Sequence, residues 1–113
     1  MTIIFDKTIS LPCGAVLSNR FAKAAMTEGL AGRHGVPGEE LCRLYEIWSN
    51  GGAGMLLSGN IMIDRHHLER PGNVVIDRPP DLEMRQALKR WASSATRKGN
   101  HFWAQISLSL IHI

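Results

Sequence analysis

Apolar positions along the chain change their period at glycines and prolines, and those changes divide it into elements. From Glu39 to Asn50, Leu41, Leu44, Ile47 and Trp48 fall at helical spacing and predict one buried stripe. Glu39 and Glu40 stand at the positive end of that helix's dipole, and Gly51-Gly52 supplies the left-handed position that stops it. The continuous apolar run Ala53-Gly54-Met55-Leu56-Leu57-Ser58 then reads as a strand buried on both faces, as in a parallel sheet. A second helix opens at Pro79-Pro80-Asp81, carries Met84, Leu88, Trp91 and Ala95 on its inner stripe, and ends at Gly99.

Weaker signals fill the rest. Ile3, Ile4, Phe5, Ile9 and Leu11 suggest a short hairpin around Asp6-Lys7, ending at Leu11-Pro12-Cys13-Gly14. Asn19 to Met26 is small and apolar, and its period alone does not separate strand from helix. Thr27 to Gly38 is a glycine-rich loop, Asp64 to Gly72 a polar one, and Asn73 to Ile76 a short extended piece. His101 to Ile106 is strand-like. The order is hairpin, β, α, β, α, β, and strands joined by helices of roughly 12 and 18 residues imply right-handed parallel crossovers.

Composition changes this picture little. Of 113 residues, 44% are hydrophobic and 20% charged, which excludes a disordered tail, a collagen-like fibre and a low-complexity linker. No apolar run approaches the roughly 18 residues of a membrane span, and the first residues lack the order of a secretory signal. Cys13 and Cys42 fit neither a zinc spacing nor a disulfide framework, so a reduced, cytoplasmic compartment is the expectation. The net charge of +3 comes from scattered basic residues, which argues against a nucleic-acid stripe.

Several conspicuous motifs carry little chemistry. Neighbouring residues on an extended chain point apart, so His66-His67 beside Asp64 reads as a solvated loop and no metal site is expected. Gly51-Gly52-Ala53-Gly54 runs from helix to strand, the reverse of a phosphate-cradling loop. Neither cysteine has a histidine that can be placed beside it as a nucleophile's partner. Trp48 and Trp91 lie on the helical stripes and read as core; the side taken by Trp103 is open.

The strand ends carry more. In open α/β sheets and β/α barrels, ligands sit at the C-terminal ends of parallel strands. Those ends are Ala25-Met26-Thr27, Ser58-Gly59-Asn60 and Gln105-Ile106-Ser107. They offer a hydroxyl, two amides and, at Gly59, room for a flat ligand to approach the backbone. They hold no carboxylate or histidine, a rim suited to a polar heteroaromatic ring.

Leu17-Ser18-Asn19-Arg20, Ala25-Met26-Thr27-Glu28, Gly51 to Asn60 and Trp103-Ala104-Gln105-Ile106-Ser107, in that order, resemble the old yellow enzyme family. The resemblance implies an α/β fold: about three strands, two helices and an N-terminal hairpin from the first part of a TIM (β/α)8 barrel. It implies FMN as cofactor and NAD(P)H as co-substrate, with hydride passing through flavin N5 to an electron-poor alkene. Ala25, Met26, Thr27, Asn60 and Gln105 are the residues that it places against the flavin, with Thr27 near the O4/N5 edge and Gln105 at the pyrimidine part. The family's usual proline is Ala25 here, and its frequent alanine is Asn60.

After Ser107 the resemblance stops. A barrel of this kind needs about 250 residues, so the chain is expected to hold a partial FMN-binding barrel over 1–107 and a non-native, adapter-encoded tail over 108–113. Catalytic residues are then expected downstream. The isolated chain is predicted to express insolubly or as a molten species, to hold no FMN and to be inactive. The alternative is a self-standing α/β binding module without catalysis. A nucleic-acid binder is a third reading, disfavoured because Trp91 sits on an apolar stripe.

Overall fold

A computed structural model of the chain describes residues 4–108. The expectation of a non-native tail over 108–113 falls, from residue 109 onward, outside the described residues. The chain begins with a hairpin of two short strands, β1 (Ile9–Ser10) and β2 (Val16–Leu17), paired antiparallel with Ile9 opposite Leu17. Its turn lies at Pro12-Cys13-Gly14, not at Asp6-Lys7. Gly14 takes a positive φ of 93°, and the Leu11 N–H donates to the Ala15 carbonyl at 2.8 Å. Asp6-Lys7 forms only a local turn, closed by the Lys7 N–H on the Ile4 carbonyl at 3.2 Å.

The eight-residue strand β4 (Met55–Met62) is the centre of the sheet. On one edge it pairs in parallel with β3 (Ala22–Lys23) near its start and with β5 (Val74–Val75) near its end. On the other edge it pairs in parallel with β6 (His101–Ser107), with Met55 opposite His101 and Met62 opposite Ser107. The parallel order predicted from the helix spacing is therefore present, and the fold is a small parallel α/β sheet. Among the described residues, β6 pairs with β4 alone, which leaves its outer edge open.

Helix α1 (Glu39–Asn50) has the predicted bounds, and Gly52 past its end takes the left-handed φ of 96°. Its buried line is Leu41, Tyr45 and Ser49, spaced four apart. Ile47, expected on that stripe, is 58% exposed because it lies two positions from Tyr45, on the side away from the sheet. Helix α2 (Leu82–Ala95) starts after Pro79-Pro80, with Asp81 as its N-cap accepting the Met84 N–H at 2.8 Å. It buries Met84, Ala87, Trp91 and Ala95. It has 14 residues, fewer than expected, because the chain turns at Thr96, where the hydroxyl donates back to the Ala92 carbonyl at 2.8 Å.

Both helices cover one face of the sheet. Leu41, Tyr45, Leu56, Ile61, Val74, Met84, Trp91 and Ala95 make one apolar cluster, with Phe102 packed against it. Trp91 and Phe102 rings meet edge-on with centroids 5.1 Å apart. Side chains alternate along β6, so Trp103, opposite Leu57, lies on the face turned away from the helices and is 41% exposed.

Two polar clamps fix the N-terminal side of the sheet. Asn19 Oδ1 accepts from the Phe21 and Gly54 N–H groups at 3.0 and 2.8 Å, while its Nδ2 donates to the Gly52 carbonyl at 2.6 Å. This ties the start of β3 to the start of β4. Buried Ser49 donates to Asn100 Oδ1 at 2.5 Å, and Asn100 Nδ2 donates to the Ala95 and His101 carbonyls. That amide joins the end of α2 to the first residue of β6.

Candidate functional site

The sequence-predicted rim lies at the C-terminal side of this sheet, but its strands end elsewhere than expected. Ladder pairing in β3 stops at Lys23, and Ala24 to Thr27 runs on unpaired. β4 continues to Met62, so Asn60 lies inside the strand, two residues from its end. The reason is a bulge. Leu57 faces Trp103 and Asn60 faces Gln105, so β4 spends one more residue than β6 over this interval. Buried Ser58 bridges the gap: its hydroxyl accepts the Gln105 N–H at 2.9 Å and donates to the Gly59 carbonyl at 2.7 Å.

Three of the five predicted residues meet in one chain of hydrogen bonds. The Thr27 hydroxyl donates to Glu69 Oε2 at 2.7 Å, and Asn60 Nδ2 donates to the same oxygen at 3.0 Å. Gln105 Nε2 donates to Asn60 Oδ1 at 2.6 Å. Ala25 is half-buried and Met26 is exposed on the segment that carries Thr27. The three strand ends themselves hold no carboxylate, but a loop brings one to them. Glu69 comes from the polar loop before β5, read from sequence as solvated. Donation from Thr27, then from Asn60, holds its pKa below the ordinary glutamate value.

Gly59 also differs from expectation. A Cβ there would lie 2.5 Å from the Met26 carbonyl oxygen and 2.8 Å from Thr27 Cα. The space is filled by the chain's own Met26-Thr27 backbone, not left open for a flat ligand. Behind it, the Gly59 N–H donates to Tyr45 Oη at 3.1 Å, and Tyr45 donates to Glu28 Oε2. Burial, together with this bond to the Glu28 carboxylate, drives the Tyr45 pKa well above the usual phenol value.

Sequence reasoning missed Lys23 as well. Its amine lies 4.4 Å from the Trp48 ring centroid and 5.2 Å from that of Tyr45, without a hydrogen-bond partner. Desolvation lowers its pKa, opposed by the Glu28 charge. Trp48 thus serves as a platform for a cation as well as a core residue. At the His pair, Asp64 Oδ1 accepts the His66 N–H at 2.9 Å and Oδ2 meets His67 Nδ1 at 2.8 Å, which gathers the loop on itself.

The rim is an open surface. A cavity of about 580 Å³ opens beside Asn19, Phe21 and Lys23, and one of about 640 Å³ beside Arg33, Arg65 and Asp77. Neither is lined by the five predicted residues.

No family model matches the chain. It is 35% identical over 94 residues to the NADH-dependent flavin oxidoreductase iliE of Neonectria sp. (strain DH2), covering 82% of this chain and 12% of that protein. With the protein of the same name from Hypocrea jecorina (strain QM6a) it shares 31% over 100 residues, covering 88% and 25%. The old yellow enzyme homologue from Zymomonas mobilis superposes with a TM-score of 0.74 at 22% identity, over 90% of this chain and 27% of that one. Morphinone reductase in complex with tetrahydroNAD superposes at 0.75 with 18% identity, over 93% and 27%. The chain thus spans about a quarter or less of the relatives named here. Its sheet, helices and rim are those of a segment of a (β/α)8 barrel. In sequence it is similar to part of the NADH-dependent flavin oxidoreductases, and in fold to part of the old yellow enzymes.

Proposed function

We propose that the chain is the first part of an FMN-dependent NAD(P)H oxidoreductase of the ene-reductase kind, acting on a small electron-poor alkene. The observation that carries this reading is the convergence of Thr27, Asn60 and Gln105 at the C-terminal side of a parallel sheet, in a chain related to NADH-dependent flavin oxidoreductases. The donor set suits the group. Gln105 keeps its carbonyl and one N–H uncommitted, a pair complementary to the imide edge of an isoalloxazine. Exposed Met26 and half-buried Ala25 offer apolar contact beside it.

Bound FMN supplies hydride transfer through its N5, while the protein orients the ring and tunes its electronics. Ala25 and Met26 would lie along the ring, Thr27 would stand near the O4/N5 edge, and Asn60 and Gln105 would hold the pyrimidine side. The groups that take the phosphate, bind substrate and protonate it belong to later strands, in keeping with phosphate sites after the seventh and eighth strands of such barrels. In this reading residues 1–107 are the barrel segment, 108–113 are a non-native tail, and the parent is cytoplasmic. The 113-residue chain then retains no FMN and is inactive.

The test is a flavin absorbance scan of the purified chain beside a version continued past Ser107 into a complete barrel. A colourless short chain and a yellow complete one are expected. A colourless complete barrel removes the flavin reading, and a yellow short chain removes the dependence on later strands. Codons over Leu108–Ile113 that differ from a sequencing adapter remove the tail reading.

A further inference from the structure

We infer that Glu69 is a positioning residue that fixes which hydrogen-bonding groups Thr27, Asn60 and Gln105 present at the rim. The inference rests on the flavin reading only for the identity of the ligand; the relay itself belongs to the chain. A carboxylate accepts hydrogen bonds and donates none. Thr27 has one hydroxyl proton, and Glu69 Oε2 takes it at 2.7 Å. Toward any ligand Thr27 therefore shows lone pairs alone.

The same oxygen decides the orientation of Asn60. Only the NH2 end of its carboxamide can face a carboxylate, so Nδ2 lies 3.0 Å from Glu69 and Oδ1 turns toward β6. An oxygen there calls for a donor, and Gln105 supplies Nε2 at 2.6 Å. The Gln105 carbonyl is thereby left free, with one N–H beside it. One carboxylate on a loop sets the polarity of a glutamine two strands away, which it does not touch. The ligand edge this selects is a cyclic imide: a ring N–H for the Gln105 carbonyl and a ring carbonyl for its N–H. At Thr27 it selects a ligand donor, because the hydroxyl has no proton left to give; at a flavin's O4/N5 edge only the N5–H of the reduced ring is such a donor.

The charges around Glu69 leave it in this role. Arg70 Nη2 stands 3.9 Å from the other oxygen, Oε1, outside hydrogen-bonding distance. Glu28, on the segment that carries Thr27, accepts from Tyr45 and from the Gly59 N–H at 3.4 Å. Glu69 is therefore the carboxylate that organises this side of the rim.

The test follows the Asn60 and Gln105 side-chain amide signals of the ¹⁵N-labelled full chain through an acid titration. Both are expected to move together, with one shared midpoint below the ordinary glutamate value of about 4.3. Glu69→Gln abolishes that shared transition. Asn60→Ala keeps a transition at the Thr27 amide while the Gln105 signal stops responding. Side-chain amides that sit at free-carboxamide positions at every pH, in a folded or a collapsed chain, overturn the inference. So does a transition that survives Glu69→Gln. The flavin reading fails separately, through a colourless complete barrel, because none of these signals requires flavin.

Discussion

The backbone N–H of Gly59 donates to the phenol oxygen of Tyr45 at 3.1 Å, joining the central strand to the first helix. The bulge in β4 takes this N–H out of the ladder, and a buried donor without an acceptor is costly. Tyr45 meets that need while its own O–H donates to Glu28. Tyr45→Phe keeps the ring contacts with Trp48, Trp91 and Phe102 but removes the hydroxyl. It is expected to lower stability by about 1–3 kcal/mol, read from urea unfolding. An unchanged midpoint would show that the bond from Gly59 carries no weight.

The same phenol predicts an alkaline limit. Its folded pKa is raised, by burial first and by Glu28 second. The native state therefore holds this proton where the unfolded chain releases it. The contribution is complete below the unfolded tyrosine value of about 10 and declines as pH rises through and beyond it. Wild-type stability should fall with pH above about 10 more steeply than that of Tyr45→Phe. Parallel curves for the two proteins would refute this.

Gly59→Ala is expected to be more disruptive than its size suggests. The added methyl meets the Met26 carbonyl and Thr27 Cα, both backbone atoms that move only if the whole segment moves. A cost of about 1–3 kcal/mol is expected, as for other overpacked sites. The displacement also draws Thr27 from Glu69, so the Thr27 amide should lose its acid titration. A stable variant with the titration intact would mean that the segment yields freely.

Local pattern made much of this legible. The bounds of α1, the stripe of α2 and the start of β6 follow from apolar spacing and flanking glycines, and the parallel order follows from the helices between strands. Thr27, Asn60 and Gln105 were legible as a rim because strand ends collect ligand groups in such sheets. What escaped depends on partners distant in sequence. Glu69 sits among charged residues that look solvated, and its role appears only when Thr27, 42 positions earlier, arrives beside it. Gly59 advertises open space, but only the fold decides that the Met26-Thr27 backbone fills it. Ile47 fits the helical period and is exposed because Tyr45 sets the face that meets the sheet.

Acid should weaken the loop between β4 and α2 through one ion pair. Arg65 holds Asp77 with two bonds, Nε to Oδ2 at 2.6 Å and Nη2 to Oδ1 at 3.0 Å, while Arg78 Nε adds a third at 3.2 Å. Bonding to Arg65 first, and to Arg78 after the opposing cost of desolvation, holds the Asp77 carboxyl far below its usual range. A depressed folded pKa contributes stability that is present above the unfolded aspartate value of about 3.9 and is lost as pH falls below it. Asp77→Asn should therefore be less stable than wild type near neutrality, with the difference shrinking as pH falls below about 4. Arg65→Lys should reproduce part of the loss, because an ammonium cannot make the paired bonds of a guanidinium. Thermal melts at neutral pH and at about pH 3 measure both. A deficit in Asp77→Asn that persists unchanged in acid would assign the effect to packing rather than to charge.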